Sequence, residues 1–313
     1  PIDSFVPNFN AYAASYYHTL NVGDLSWFIE AAYKSTDAIV GPEGILINTD
    51  GSQVFTTVGY SRKGFGLTLG FKRTENFTFR TSPNEILTRG IINFLPPLTR
   101  ANTLRLQSRY NAATQELGEL AFQADILYKL GKYNNGLINF SNITDLNGNL
   151  LFREIYVSHR WRRLGANKKW EISTGLQYQE YNQEVFEVKP GVPLVKSWVP
   201  FWEGVYRIDR KKSLRAEVQY QYTRQDFGQF VYALLEYSVA PSWTVAVSEM
   251  INVVPKQSEH KDNFFSASVS YTHRANKFIF GYFRQIEGIV CTGGVCRFEP
   301  AFNGARLTVS SSF

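Results

Sequence analysis

The sequence predicts an all-β fold, and three observations carry that prediction. Apolar and polar residues alternate with a period of two along many short segments, the chain is rich in aromatic residues, and no segment keeps a helical period for long. Of the 313 residues, 18 are Tyr, 24 are Phe and 6 are Trp, while charged residues make up only 19%. This composition excludes a disordered chain, and two cysteines exclude a small scaffold held by many disulfides. No apolar run is long enough for a membrane-spanning helix.

The alternation is clearest between residues 213 and 225. Leu214 and Val218 belong to an apolar set that alternates with a polar set containing Arg215 and Glu217. Because every second residue of a strand lies on the same face, this segment predicts a strand with one apolar and one polar face. The same pattern recurs in residues 25–34, 65–72, 170–179, 265–272 and 305–313.

Two architectures fit such strands, a soluble sandwich or solenoid and a membrane β-barrel. A sandwich covers its apolar faces with a second sheet, whereas a barrel turns them to lipid and places aromatic rings at both interfaces. Large aromatic residues lie near the predicted strand ends, and small polar residues fill the other face. The barrel is therefore favoured. The aromatic set is Tyr60, Phe71, Tyr110, Tyr128, Trp170, Tyr178, Trp202, Tyr206, Tyr220, Tyr222, Trp243, Tyr271 and Tyr282.

The predicted connections alternate between tight turns and longer or more polar loops. Tight turns are expected at 20–24, 62–65, 96–101, 130–136, 163–169, 209–213, 240–242 and 274–277. Longer loops are expected at 38–52, 74–89, 111–117, 143–149, 186–194, 224–228, 255–262 and 287–303. Together they delimit seventeen strands, or 16–18 if one short strand, such as 90–95 or 137–142, is counted wrongly.

The odd number bears on the extent of the barrel. Single-chain bacterial barrels have an even number of strands and both termini in the periplasm. A C-terminus in the periplasm leaves the N-terminal end of this sequence on the outside. We therefore expect residues 1–313 to form one barrel domain that lacks N-terminal strands of a longer natural chain.

The net charge of +6 raises nucleic acid as a partner, but the placement of the basic residues argues against it. They form short clusters in the predicted tight turns, and no basic helix or stripe is present. Basic turns fit contact with anionic lipid headgroups, and they fit simple solubility of the turns equally well. The clusters are Arg62–Lys63, Arg162–Arg163 with Lys168–Lys169, Arg210–Lys212, and Arg274 with Lys277.

The last strand looks like the terminal strand of outer-membrane proteins in general. Leu307, Val309 and Phe313 lie on its apolar face, and the chain ends on the Phe carboxylate. The resemblance implies that these residues form the signal read by the barrel-assembly machinery, and that outer-membrane lipids surround the barrel.

Three stretches, 64–80, 92–100 and 293–304, resemble a Bacteroidota family of C-terminal outer-membrane barrels with no assigned function. They read GFGLTLGFKRTENFTFR, INFLPPLTR and GGVCRFEPAFNG. The resemblance runs through most of the chain, and family members carry additional sequence before it. It implies a location and a fold but no activity.

Cys291 and Cys296 flank Thr-Gly-Gly-Val in the last predicted outer loop. In an oxidising envelope a disulfide across this bend is favoured over two free thiols. A zinc site is the alternative, but two further ligands are missing. No cofactor is predicted.

Charged residues on the polar faces are expected to line a lumen. Both signs are interspersed, which fits either a salt-bridged wall or a transverse field, and strong ion selectivity is not expected. The set includes Arg105, Arg109, Asp125, Glu171, Arg215, Glu217 and Arg306.

Three functions are weighed. The first is a passive or gated channel for small hydrophilic solutes, because barrels of this size hold an aqueous lumen. The second is a non-conducting barrel that docks lipoproteins or other envelope subunits. A membrane enzyme comes third, because no nucleophile, base or paired carboxylates form a catalytic set.

Overall fold

In a computed structural model the chain is an antiparallel β-sheet protein with a single short helix, α1, among the described residues. The structure describes residues 10–41, 44–83, 90, 92–93, 95–256, 262–285, 288–292 and 295–312, with the backbone alone for 288–299. Alternating segments thus form strands, as predicted. The elements are β1 Ala13–Val22, β2 Leu25–Val40, β3 Leu46–Arg62, β4 Phe65–Glu75, β5 Gly118–Lys129, β6 Asn134–Thr144, β7 Leu150–Leu164, β8 Trp170–Tyr181, α1 Gln183–Phe186, β9 Val195–Arg207, β10 Lys212–Thr223, β11 Gly228–Val239, β12 Trp243–Pro255, β13 Asn263–His273, β14 Asn276–Gln285, β15 Gly288–Thr292, β16 Val295–Glu299 and β17 Phe302–Ser311.

Fifteen of the described strands form one sheet in sequence order, β1 to β14 followed by β17. Every neighbouring pair is antiparallel, as in β10 and β11, where Arg215 lies opposite Glu236. Strands β15 and β16 form a separate hairpin within the last loop. In the described part of the chain, β1 pairs only with β2 and β17 only with β14, so both sheet edges are free. Among the described residues, no helix is long and apolar enough to cross a membrane.

Seven of the eight predicted tight turns are confirmed, because a short connection joins two strands at each of them. The predicted turn at 96–101 and the strands on either side of it are wrong. The described residues between 76 and 117 contain no strand beyond a single bridge residue at Arg80. The main sheet therefore has fifteen strands rather than 16–18 within the described ranges, and the number stays odd because two predicted strands are lost together.

The two faces of the sheet have inverted polarity relative to a soluble protein. On β10, Val218 and Tyr220 are 47% and 37% exposed, whereas Gln219 and Gln221 are fully buried. The exposed residues continue across the sheet as an apolar surface, and the buried face is polar. This division is the one that the alternation predicts for residues 213–225.

Aromatic pairs lie on the exposed face near both ends of the strands. Near the short turns, the ring centroids of Trp170 and Tyr206 are 4.8 Å apart, and those of Trp243 and Tyr271 are 4.6 Å apart. Near the long loops, Tyr178 and Trp198 are 4.5 Å apart. At ~3.3 Å per residue, Trp170 and Tyr178 are separated by about 26 Å along β8. Tyr110, predicted to belong to this set, instead lies buried inside the protein.

The sheet curls around the described part of residues 76–117, a range here called the inner segment. Leu106 of this segment packs in a buried cluster with Val199 of β9, Phe230 of β11 and Phe264 of β13. Tyr110 packs in a second cluster with side chains from β5 to β9. One segment in contact with strands from β5 to β13 requires that these strands surround it, as in a barrel.

Candidate functional site

The inner segment begins and ends as an extension of the β4–β5 hairpin. The backbone N–H of Asn76 donates to the carbonyl of Leu117 at 3.1 Å, and that of Phe77 donates to Glu116 at 3.1 Å. The described residues between these pairs leave the sheet and enter the space that it encloses. The segment is therefore held at its base and must find further partners on the inner wall.

The first of these partners is Lys72 on β4. Its Nζ lies 2.6 Å from Glu119 Oε1 of β5, and it donates to the carbonyl of Pro96 at 2.7 Å and to Thr114 Oγ1 at 2.8 Å. Lys72 and Glu119 are 2% and 0% exposed. A buried ammonium is tolerated only when paired and hydrogen-bonded, and the inner segment supplies two of the three partners.

Glu154 on β7 provides a second anchor. Its Oε1 accepts from Asn102 Nδ2 at 3.1 Å and from Gln177 Nε2 at 2.6 Å. The guanidinium of Arg100 lies 3.5 Å from the centre of the Tyr156 ring, close enough for a cation–π contact. Strand β7 thus binds Arg100 and Asn102 through one carboxylate and one ring, and Gln177 of β8 holds the carboxylate.

Three inward-facing glutamines act as backbone partners for the middle of the inner segment. Gln219 Oε1 accepts the backbone N–H of Leu106 at 2.9 Å. Gln177 and Gln179 donate to the carbonyls of Gln107 and Tyr110 at 3.4 and 3.3 Å. Buried backbone groups need partners, and here side chains replace the neighbouring strand that a sheet would provide.

Asp226, in the β10–β11 loop, is the last anchor. Its Oδ2 accepts the Tyr110 hydroxyl at 2.9 Å and Arg109 Nη2 at 3.3 Å, and its Oδ1 accepts Gln183 Nε2 at 3.0 Å. Burial raises the pKa of the Tyr110 phenol far above its usual range, although the Arg109 charge acts in the opposite direction. The hydroxyl therefore stays protonated and remains a donor to the carboxylate.

In the half of the lumen nearer the short turns, the charged side chains of the wall pair with each other rather than with the inner segment. Arg215 lies 2.7 Å from Glu203, contacts Glu217 directly, and lies 3.9 Å from Glu236. These residues come from β9, β10 and β11. They form a salt-bridged layer below the inner segment.

The structure places the remaining predicted lumen charges in four settings. Arg105 and Arg109 lie in the inner segment rather than on a strand, so their predicted strand setting is wrong. Asp125 accepts hydrogen bonds from Gln123 and Asn139, and Glu171 pairs with Arg160 and Arg207. Arg306 lies over the Phe283 ring at 4.6 Å.

The C-terminal residues and the cysteines are described in part. Leu307 and Val309 lie on the exposed face of β17, at 65% and 55% exposure, and Phe313 lies outside the described residues. The backbones of Cys291 and Cys296 are directly opposite each other in the β15–β16 hairpin. Their side chains lie outside what the structure describes. No group of three potential metal ligands is present among the described residues.

The inner segment is the structural feature that the sequence did not predict. Its alternating stretch 102–110 has the pattern of a strand. The signal that could have identified it is on its partners, since β9 and β11 carry large apolar residues such as Val199 and Phe230 on their inner faces. A water-filled lumen does not call for such residues.

Comparison with solved structures finds outer-membrane proteins at low similarity. The ferric-catecholate import receptor Fiu from E. coli K12 is 12% identical, with a TM-score of 0.48, and the alignment covers 96% of this chain and 52% of that one. A ferric enterobactin receptor (PfeA) mutant from Pseudomonas aeruginosa is 8% identical, with a TM-score of 0.46 and coverage of 96% and 56%. A mutant Rh. blastica porin is 10% identical, with a TM-score of 0.43 and coverage of 97% and 90%.

The chain thus spans about half the length of the two receptors. No curated protein matches the sequence. The model of the Family of unknown function (DUF6029) matches residues 3–313, and the chain belongs to that family.

Proposed function

We propose that this protein is an integral barrel of the bacterial outer membrane that lets small hydrophilic solutes pass, and that the inner segment controls the passage. The observation that carries the proposal is the inverted polarity of the sheet. Large apolar side chains such as Val218 are exposed outside, and polar ones such as Gln219 are buried inside. An exposed apolar surface of this extent needs a lipid environment.

The two aromatic rows support a membrane orientation. They bound the apolar surface on both sides, and their separation of about 26 Å along β8 becomes about 20 Å along the membrane normal at a strand tilt of about 40°, near the apolar band about 25 Å tall of such barrels. In the proposed orientation the short turns and the C-terminus face the periplasm, and the long loops face outward. Lipids, the barrel-assembly machinery and a Bacteroidota cell envelope complete the proposed setting.

A space beside the inner segment supports the proposal that solutes can pass, because the segment does not fill the whole lumen. The anchors of the segment lie on β4, β5, β7, β8 and β10 and in the β10–β11 loop. Facing β1, β2 and β3, a cavity of about 490 Å³ remains, lined by residues such as Ser15, Glu30 and Gln53. A solute would pass between this wall and the segment.

The two free sheet edges support closure by additional strands. Strand direction alternates along the sheet, so the first and the fifteenth strands run parallel and an antiparallel closure between them is impossible. All residues of β1 are exposed. We propose that an odd number of further strands of the natural chain, before residue 1, pairs with both edges.

A non-conducting barrel is the second candidate, and the packed interior favours it. Leu106 and Phe152 are fully buried in the two apolar clusters inside the sheet, and such packing resists water. In this case the barrel would dock lipoproteins or other envelope subunits through its loops.

Conductance in planar bilayers tests the proposal. Residues 78–115 are replaced by Asn-Gly, a two-residue turn that suits a hairpin, because Phe77 already pairs with Glu116. The full-length variant should carry a current severalfold larger than the parent, whereas Asn147→Ala in an exposed loop should match the parent. Silence of both the parent and the folded deletion variant would contradict a channel and favour docking. If the deletion variant does not assemble, Asp226→Ala serves instead, with more frequent or larger openings expected.

A further inference from the structure

A cavity of about 510 Å³ lies at the short-turn end of the barrel, between β5 and β9. The strand ends contribute Lys129, Arg162, Arg163 and Arg207, and the turns contribute Lys132, Lys168 and Lys169. Glu171 is the one acidic residue of the lining. Seven cations and one carboxylate around a space of this size create a strong positive potential.

The cations of this basic cavity are left largely without acidic partners. Among the described residues, Arg207 alone of the seven forms an ion pair, with Glu171 at 3.5 Å, and Glu171 also serves Arg160. Asp209 lies close enough to Lys169 to interact electrostatically, but its carboxylate accepts the backbone N–H groups of Lys211 and Lys212. In the Arg215 layer deeper in the lumen, three carboxylates surround one guanidinium, so that cation is fully paired, whereas most cations of the cavity are not.

Neutral partners hold several of these cations in place. Arg162 Nη2 donates to Asn135 Oδ1 at 3.0 Å, and Arg163 Nη1 donates to the Tyr133 hydroxyl at 2.9 Å. Lys169 Nζ donates to the carbonyl of Ile208 at 2.6 Å. A guanidinium has five N–H donors, so after these contacts each arginine still has most of its N–H groups free to bind a ligand. These contacts fix the positions of the charges without neutralising them.

The backbone at the end of β7 and in the β7–β8 turn is strained at two of the residues that carry these cations. Arg163 and Lys168 have φ values of 58° and 53°, the left-handed region in which Gly or Asn is the usual choice. A residue held in such a conformation points to a functional constraint on its side chain. Both side chains line the cavity.

We propose that the basic cavity binds a multivalent oxyanion of the phosphate class. Ammonium and guanidinium groups that converge with free donors match the charge and the geometry of phosphate oxygens. Arg162 and Arg207 alternate with the outward-facing Trp161 and Tyr206 and so face the lumen, whereas Trp170 of the outer face also lines the cavity, which therefore lies at the rim of the barrel. The phosphate belongs either to a soluble compound at the mouth of the lumen or to an anionic lipid headgroup at the rim. The site revises the expectation of a lumen without preference for either sign.

Pyrophosphate binding tests the proposal without any measurement of conduction. The full-length protein in a detergent free of anionic lipid is titrated with pyrophosphate by calorimetry, at low and high salt. Arg162→Gln/Lys168→Gln should weaken binding by about tenfold or more, since charge-assisted contacts are lost. Arg62→Gln/Lys63→Gln, at the β3–β4 turn outside the cavity, should leave it unchanged. Higher salt should weaken binding to the parent.

Nanodiscs with and without phosphatidylglycerol distinguish the two sources. Binding of pyrophosphate in detergent assigns the site to soluble oxyanions. If phosphatidylglycerol binds and pyrophosphate does not, and if this binding is lost in Arg162→Gln/Lys168→Gln, the site is assigned to lipid headgroups. The proposal is overturned if neither probe binds, or if both pairs of substitutions weaken binding equally. Folding of each variant is checked by its heat-dependent migration in gels, and failure of conduction has no bearing on these results.

Discussion

Replacing Asp226 with Ala is expected to release the inner segment from the barrel wall. The Asp226 carboxylate binds Arg109, Tyr110 and Gln183 at once. Its side chain is 4% exposed and that of Arg109 is 11% exposed. The substitution leaves a nearly buried guanidinium without its carboxylate and a buried phenol without its acceptor.

The size of the effect follows from the burial of this pair. Removal of one partner from a buried ion pair costs about 3–5 kcal/mol. Arg109 keeps its contact with the Phe230 ring, at 4.1 Å, so the lower end of the range applies. A loss of about 3 kcal/mol raises the population of the released segment by about 150-fold.

Limited trypsin digestion of the assembled protein measures that population. Cleavage after Arg105 needs a locally released chain, and its rate follows the open population when reclosing is fast. Asp226→Ala should be cut about 150-fold faster than the parent, by the same reasoning. Asp226→Asn, which keeps an acceptor for Tyr110, should fall between the two.

Glu75→Ala is the matched control near the base of the same segment. It breaks the 2.7 Å pair between Arg73 and Glu75, whose side chains are 41% and 42% exposed. Exposed pairs contribute about 0–1 kcal/mol, so cleavage should change by less than about fivefold. Equal cleavage rates in Asp226→Ala and the parent, with the barrel intact, would refute the anchoring role of Asp226.

Three further outcomes are expected. Leu106→Ala should lower the free energy of unfolding by about 2–5 kcal/mol in urea titrations, because a fully buried side chain is lost, whereas Val247→Ala on the exposed face should have a much smaller effect. The tryptic peptide 285–297 should be two hydrogens lighter than its reduced form, as a Cys291–Cys296 disulfide requires, and two thiols that alkylate without reduction would exclude it. The pKa of Asp145 is lowered, because hydrogen bonds from Asn149 and nearby backbone outweigh the opposing effect of burial. A group with a lowered folded pKa contributes stability above its unfolded pKa and loses it as the pH falls. The amide signals of Asn147 and Asn149 should therefore titrate below pH ~3.9, and a higher midpoint contradicts the assignment.

The strands could be predicted from the sequence because the two faces of the sheet differ in polarity, which enforces the alternation. A strand such as β10 must present apolar side chains to the outside at every second position, and a shift by one residue would place Arg215 and Glu217 in that environment. The period of two and the turn residues therefore determine both the strands and their faces.

The inner segment could not be predicted for a related reason. Residues 102–110 also alternate, with Leu106 and Tyr110 on the apolar set. Alternation reports that side chains face two environments, but it does not report what pairs with the backbone. Here the partners are the side chains of Gln177, Gln179 and Gln219, which are distant in sequence and typical of any polar lumen.

The salt-bridged layer and the inner segment are connected by one chain of contacts. Arg215 pairs with Glu217, Glu217 accepts the side-chain amide of Gln219, and Gln219 accepts the backbone N–H of Leu106. Glu217 and Gln219 are 3% and 0% exposed, so a change in charge at this layer is poorly screened. A solute that displaces Arg215 from Glu217 leaves a buried carboxylate whose remaining partner is the residue that holds Leu106. In the proposed channel, charge at the lower lumen thereby acts on the anchor of the segment through the inward-facing side chains of β10.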